Sequence, residues 1–474
     1  MALTRSRVSL ALACLLPLVV SGCQTTQNTT SKDSKSGKVS INPNPYPSTY
    51  QAIAGTPTVI TNVTILDGAG KRIENGMVYF AEGKIQAVGQ NIDYPTNATV
   101  IDGQGKWVTP GIIDNHSHLG VYPSPSIGSL SDGNEMVKPV TPGVWAEHSV
   151  WPQDAGFGRA LAGGVTTLQI LPGSGNLVGG RSIVLKNVPN RSMQDMKFPD
   201  APYGMKMACG ENPKRVYGQK GGPMTRMGNV RGYRQAFSDA QEYQAKWQKY
   251  SDDFDAGKNP TAPKRDLDLE TLAGVLDGDI MVHMHCYRAD EMVTMMDMMK
   301  EFDYQISSFH HAVESYKIAD KLKQNNVCSA MWADWWGFKM EAYDGIRENI
   351  PMVDAAGACA IVHSDSELGI QRLNQEAAKA WSDGKRAGID SSMAHAWTWL
   401  SANPAKSLGI YDKTGSLEEG KNADVVLWSG NPFSTYTQAE KVYIDGGLAF
   451  DLSNAQHQPV SDFEVGQQAT GEAQ

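Results

Sequence analysis

From residue 106 to residue 409 the chain alternates short apolar, β-branched runs with helical stretches, and this alternation constrains the fold more than any other feature. Strand candidates are residues 166–171, 204–209, 280–285, 305–311, 327–332 and 359–363; helix candidates are residues 230–250, 289–301, 314–324 and 368–387. Strands joined by crossovers of helical length lie parallel, whereas a tight turn reverses the chain. With 474 residues available, the repeat predicts an α/β fold centred on a (β/α)8 TIM barrel over residues 106–410, its chemistry carried on loops at the C-terminal ends of the strands.

Both ends of this region read as strands. Thr58-Val59-Ile60, Val63 to Leu66, Met77 to Phe80, Ile85 to Val88 and Thr99-Val100-Ile101 are separated by Asp-Gly and Glu-Gly turns, and Ala423 to Trp428 and Lys441 to Ile444 repeat the pattern. Residues 51–105 and 411–455 are therefore expected to form one small β-sandwich domain built from both termini, with residues 456–474 a disordered tail. The extreme N-terminus differs. Arg5 and Arg7 precede an apolar segment over residues 8–20 and then Val20-Ser21-Gly22-Cys23, which resembles a bacterial lipoprotein signal of 22 residues with Cys23 as the lipidated residue. Gln24 in place of an aspartate favours a cell-envelope lipoprotein of the outer membrane facing the periplasm, attached to the membrane through its lipid alone. Residues 23–50 are polar and expected to be a flexible tether. Cys209, Cys286, Cys328 and Cys359 show no paired spacing and are expected to be free, buried thiols. Dispersed charge, 42 Lys+Arg against 51 Asp+Glu for a net of −9, excludes a nucleic-acid surface.

Histidines fall at the ends of the apolar runs. His116 and His118 follow Ile112-Ile113-Asp114-Asn115, and their spacing of two puts both on one face of a strand, within reach of one ion. His283 and His285 repeat the spacing; His310-His311 and His363-Ser364-Asp365 end two further runs. Such groups converging at a barrel mouth can hold a divalent ion that activates water.

The stretches Pro110-Gly111-Ile112-Ile113-Asp114-Asn115-His116-Ser117-His118, Gly164-Val165-Thr166-Thr167, Asn403-Pro404-Ala405-Lys406 and Gly420-Lys421-Asn422-Ala423-Asp424 resemble the amidohydrolase superfamily, in its imidazolonepropionase-like and Xaa-Pro dipeptidase-like branch, over roughly residues 58–452. The resemblance implies one or two divalent ions, zinc foremost, with His116 and His118 on the more buried ion and Asp365 shared between metal and water as catalytic base and acid. It implies His285 as the strand-five ligand, because Arg288-Ala289-Asp290 follows as in similar enzymes, and His311 as the strand-six ligand. The unused members of those pairs, His283 and His310, would be buried imidazoles bonded to backbone carbonyls. Binuclear relatives bridge their ions with a carboxylated lysine or a glutamate, and either Lys206 or Glu211 is available for that role. A bare ammonium inside the apolar run around Lys206 would be costly.

The implied reaction is hydrolysis of a C–N bond in a small amide or short peptide, with His283, Tyr287 and Arg288 as candidate substrate-binding groups. Deaminating relatives carry a glutamate three residues after the strand-five histidine. Arg288 stands there instead, which favours a peptidase or amidase and a guanidinium clamp on a substrate carboxylate. The alternatives are a cyclic amide or deaminase-type hydrolase, and an inactive envelope-anchored binding protein. The aromatics of residues 331–338 either line a side-chain pocket or pack their loop. Residues 172–180 are glycine-rich without phosphate-loop spacing, and the Met-rich residues 292–299 read as a core helix face. A barrel of this size is able to pair with a second copy.

Overall fold

The computed structural model describes residues 38–457 apart from Pro125. The proposed signal and Cys23 lie outside the described residues, as does nearly all of the C-terminal tail. Residues 58–110 supply β1 (Thr58–Leu66), β2 (Arg72–Ala81), β3 (Lys84–Gly89), β4 (Thr99–Asp102) and β5 (Trp107–Pro110). The barrel follows with β6 (Ile112–Ser117), β7 (Val165–Ile170), β8 (Val178–Lys186), β9 (Tyr203–Ala208), β10 (Ile280–Cys286), β11 (Ile306–His311), β12 (Cys328–Met331) and β13 (Ala360–Val362), and β14 (Val425–Trp428), β15 (Ala439–Ile444) and β16 (Gly447–Asp451) close the chain.

The two terminal segments are hydrogen-bonded into one sheet in the order β16-β15-β14-β5-β1-β2-β3, with β4 on β1. They join where β5 and β14 pair antiparallel, Val108 opposite Leu427. Alternating side chains of both segments, among them Ile60, Ile65, Phe80, Val108, Val425 and Tyr443, bury together. The turns are those the sequence announces: Glu82-Gly83 and Asp445-Gly446 both have positive φ at each residue, as a two-residue hairpin of matching twist requires.

The second sheet runs β6 to β13 in sequence order. Past the end of β13, the Asp365 amide donates to the His116 carbonyl (3.1 Å) and the Ser364 amide to Asp114 (3.2 Å), drawing the first and last strands together. One strand departs from the parallel expectation: β8 is antiparallel to both β7 and β9. Residues 171–177 are too few for a helical crossover, so the chain reverses as a hairpin. Elsewhere helices Arg226–Asp255, Leu267–Leu276, Ala289–Phe302 and Leu373–Arg386 lie between strands. The methionines of Ala289–Phe302 occupy its buried face at helical spacing, Met292, Met295, Met296 and Met299. Gly111, between the two sheets, admits no side chain, since a Cβ there would lie 1.9 Å from Thr166 Oγ1. No helix among the described residues is long and apolar enough to cross a membrane.

Two expectations are corrected. The four cysteines are paired, Cys209 with Cys286 and Cys328 with Cys359. His285 is opposite Ala208 and Ser329 opposite Ala360, so each cystine takes the next register position on neighbouring parallel strands. Their separations of 77 and 31 residues are the lengths of the intervening segments, which is why no short spacing announces them. Residues 41–50, read as part of a tether, are held against the barrel by polar contacts rather than apolar burial. Lys197 Nζ donates to the Tyr46 carbonyl (2.6 Å) and to Asn44 (3.0 Å), Arg181 donates to the Pro43 carbonyl (3.2 Å), and the Tyr50 hydroxyl donates to Asp445 (2.7 Å).

Candidate metal centre

His116, on β6, and His118, just beyond its end, present Nε2 atoms 3.3 Å apart, and each Nε2 lies 3.3 Å from Asp365 Oδ1. Ligand atoms held at about 2.0–2.1 Å around a tetrahedral zinc ion stand about 3.3–3.4 Å from one another, so this triangle has the size of one face of such a site. The His118 Nδ1–H donates to the Leu171 carbonyl (2.8 Å), which leaves the lone pair on Nε2 facing the triangle. His116 Nδ1 is hydrogen-bonded to His310 Nδ1 at 2.8 Å; His310 Nε2 meets Ser308 Oγ (2.8 Å) and His283 Nδ1 (3.2 Å). With Nε2 of His116 kept for an ion, protons in this relay run from His116 to His310 and on to Ser308 or His283. The relay therefore fixes the tautomer of the ligand.

A second group adjoins the first. His116, His311 and His363 have ring nitrogens within 4.8 Å of one another, and His311 Nδ1 lies 3.7 Å from Asp365 Oδ2. The rings of His285 and His311 are 4.6 Å apart. Among the described residues the buried Nδ1 of His311 has no hydrogen-bond partner, a condition that costs stability unless a cation or proton meets its lone pair; His285 and His363 accept at Nε2 from the Asn212 side-chain amide (3.4 Å) and the His311 backbone amide (3.2 Å), so their protons sit on Nδ1. Burial holds the imidazoles of His116, His285, His310 and His311 well below their ordinary pKa, and those of His283 and His363 down to about 3. All six are neutral at physiological pH; the lone pair of His310 is taken by His116 and that of His363 by the His311 backbone amide. Asp365 is pushed upward by burial, but the adjacent His118 and the other neighbouring histidines outweigh it and keep the carboxylate ionised. The donor set fits a divalent metal ion.

Backbone conformation decides which histidines converge. Along β11, Ser308 and His310 share the interior face, and strict alternation would send His311 outward. His311 (φ +70°) and Ala312 (φ +41°) instead adopt left-handed conformations, and Asp365 has φ +46°. Such strain concentrates where a site requires it. Asp114 anchors both walls: its carboxylate accepts from the His116 amide, the Ser364 amide and the Ser364 hydroxyl, and burial raises it to about 7.

Lys206 is wholly buried among these groups, opposite His283 in the register, and Nζ donates to the Pro172 carbonyl (3.2 Å). Desolvation lowers its amine to about 7. Glu211 begins the helix Glu211–Tyr217, is partly exposed and pairs with Lys339 (3.5 Å); of the two bridging candidates, the structure brings Lys206 to the centre. Tyr287 stacks on His311 at 5.3 Å, at the rim of the site. His283, a candidate substrate donor, lies two register positions deeper than His285 and is bonded to His310, away from the mouth. Arg288 forms a double hydrogen bond with Asp290 (2.9 Å each) at the surface, so the expected carboxylate clamp is an internal ion pair. Neither His283 nor His310 is bonded to a backbone carbonyl, contrary to the expectation for the unused pair members; they bond to each other. His363 was noted at the end of its run but given no role, and the relay role of His310 was missed, although the His-x-Asp ending of β13 and the His-His doublet were their signals. Trp332 is also part of the centre, stacking on His311 at 4.4 Å and donating from Nε1 to the Ser364 carbonyl.

Residues 269–450 match the family described as Amidohydrolase family. Over 397 residues the chain is 32% identical to Amidohydrolase tasK of Hapsidospora irregularis, a match covering 80% of this chain but only 39% of that protein. A Xaa-Pro dipeptidase solved with methionine bound in its active site shares the fold, with a TM-score of 0.52 and 14% identity over 83% of this chain and 99% of that one. The crystal structure of an amidohydrolase from Thermotoga maritima MSB8 matches with a TM-score of 0.76 and 34% identity, over 83% of this chain and 100% of that chain. Identity at that level along the whole Thermotoga maritima protein, on a barrel that gathers histidines and an aspartate at its strand ends, shows that this chain belongs to the amidohydrolase family.

Proposed function

We propose that the protein hydrolyses the C–N bond of a small amide or short peptide at a divalent metal centre, zinc foremost. The observation that carries this reading is the 3.3 Å triangle of His116 Nε2, His118 Nε2 and Asp365 Oδ1. Those three residues would hold one ion, and His285 and His311 a second, bridged to the first by Lys206. An amine lowered to about 7 has a large uncharged fraction at neutral pH, so Nζ can attack CO2 and release a proton to form the carbamate that such bridging requires.

A bound divalent ion supplies a lowered water pKa and polarisation of the scissile carbonyl. Asp365 receives the proton of the attacking water and delivers it to the leaving nitrogen. Tyr287, whose buried hydroxyl stays protonated, donates to the carbonyl oxygen. His310 holds the His116 tautomer, and the His311 and Trp332 rings exclude water from one side. No acid occupies the place of Arg288, and its guanidinium is engaged with Asp290, which favours amide hydrolysis over deamination. Export as an envelope lipoprotein anchored at Cys23 is part of the same reading, and it is supported by two cystines of the kind that persist in oxidising compartments.

The test is elemental analysis of the chain beginning after Cys23, alongside release of amino acids from a dipeptide panel that includes Xaa-Pro. One or two zinc per chain with turnover is the expected result. Metal without dipeptide turnover would redirect the search to cyclic amides, and a metal-free, inactive protein would overturn the proposal.

A further inference from the structure

A cavity of about 1010 Å³ opens from the centre on the side of His363 and Ser364, of the size that takes small-molecule ligands. One wall is aromatic and continuous with the centre: Trp332 stacks on His311 (4.4 Å) and Trp335 on Trp332 (5.4 Å). The rest of the lining carries cations of two kinds. Lys379 and Arg386 are already neutralised, Lys379 by Asp334 (3.0 Å) and Glu376 (2.8 Å), and Arg386 by Asp383. These three carboxylates are also the acids that line the cavity. Arg347 and Arg372 line it too, and among the described residues neither has an ion-pair partner; Arg347 is 5.6 Å from the Trp336 ring. The lining holds Arg347, Arg372, Lys379 and Arg386 against Asp334, Glu376 and Asp383, which leaves an excess of positive charge beside His363, on the side where a substrate would extend from the centre.

We propose that Arg347 and Arg372 form an anion-reading wall, and that the protein acts on amides carrying a free carboxylate on the side of the molecule that lies in this cavity, against the indoles of Trp332 and Trp335. The inference rests on the hydrolase reading of the His116 centre and names its substrate class. Arg288, tied to Asp290, cannot serve that purpose from its position. A guanidinium presents a planar fork that matches a carboxylate with two parallel hydrogen bonds.

The experiment uses the metal-loaded full chain and a matched probe pair, N-acetylglycine and N-acetylglycinamide. Quenching of tryptophan fluorescence is read by stopped flow before turnover, and product release is assayed separately on the same pair. The carboxylate should bind at least about tenfold more tightly than the amide, a gap of about 1.4 kcal/mol, and R347Q or R372Q should each reduce that preference to about threefold or less. Both side chains are exposed, so the variants should fold, and their metal content and circular dichroism check this. Equal binding of the two probes by the wild type, or a full preference surviving in both variants, would overturn the proposal. Preference lost in the variants with no product from either probe or from the dipeptide panel would sink the hydrolase reading while supporting the anion wall.

Discussion

Lys206→Met tests whether a lysine is held neutral at the floor of the centre. Burial lowers the amine from its ordinary value of 10.5 to about 7, and each unit of difference between folded and unfolded pKa corresponds to about 1.4 kcal/mol. The sign follows from proton binding. Between pH 7 and 10.5 the unfolded chain holds a proton on this amine that the folded chain lacks, so stability rises with pH across that window. In metal-free protein the penalty of burying Lys206 is therefore about 5 kcal/mol below pH 6, about 3 kcal/mol at pH 8 and about 1 kcal/mol at pH 10. Methionine fills similar space without a titrating group. It loses the hydrogen bond to the Pro172 carbonyl, at a cost of about 1 kcal/mol that does not change with pH. After chelator treatment, the Lys206→Met variant should accordingly be more stable than wild type at pH 8 by about 2 kcal/mol, and that advantage should shrink by about 2 kcal/mol by pH 10. Urea unfolding followed by tryptophan fluorescence at pH 6, 8 and 10 gives the comparison. A stability difference that stays constant across this range would refute the buried neutral amine.

Other expectations can be checked directly. Asp365→Asn should lower kcat by about 10² to 10⁴ while leaving metal content nearly unchanged, because the amide oxygen can still coordinate but cannot carry the proton; full activity in the variant would exclude the base role. Replacing Cys328 and Cys359 together by alanine opens a closure of 31 residues and should cost about 4 kcal/mol by loop entropy, read as a lower unfolding midpoint; an unchanged midpoint would mean that the pair adds nothing to stability. Arg288→Ala removes only a surface ion pair with Asp290, so KM should change less than about twofold and stability by less than about 1 kcal/mol. A large rise in KM would restore the carboxylate clamp to Arg288. Ser364→Ala withdraws a hydroxyl from the Asp114 carboxylate and should cost about 1.5–3 kcal/mol, with weaker metal retention as the strand ends bearing His116 and Asp365 separate.

Much of the scaffold was legible because it depends on local period. Apolar runs of strand length recur between helical stretches, and six of the barrel strands lie within a few residues of the expected positions. Histidines two residues apart at the ends of such runs must share a face, and that spacing marks His116, His118, His283 and His285 as candidates with no knowledge of how the strands pack. The Met-rich segment betrayed its buried face in the same way, through helical spacing. Choosing between neighbours was harder. His285 and His311 could be preferred to His283 and His310 only through resemblance, and the bonding of the latter two into one relay depends on how β10 and β11 pair.

By itself, then, the sequence determined most of the order of strands and helices, though not strand β8, and it marked the association of both termini, read as a sandwich where the structure has one sheet; it also offered the residues whose chemistry suits a metal, since each of these follows from side-chain periodicity or from residue chemistry. Tertiary structure decided the reversal of β8, the two cystines, the inward turn of His311 and the pairing of Arg288 with Asp290. It also decided the seating of residues 41–50 and the convergence of His116, His118 and Asp365 at 3.3 Å. The physical reason is common to all of them. Register between strands and positive backbone angles are fixed by packing among residues distant in the chain, and a one-dimensional pattern contains no term for that distance.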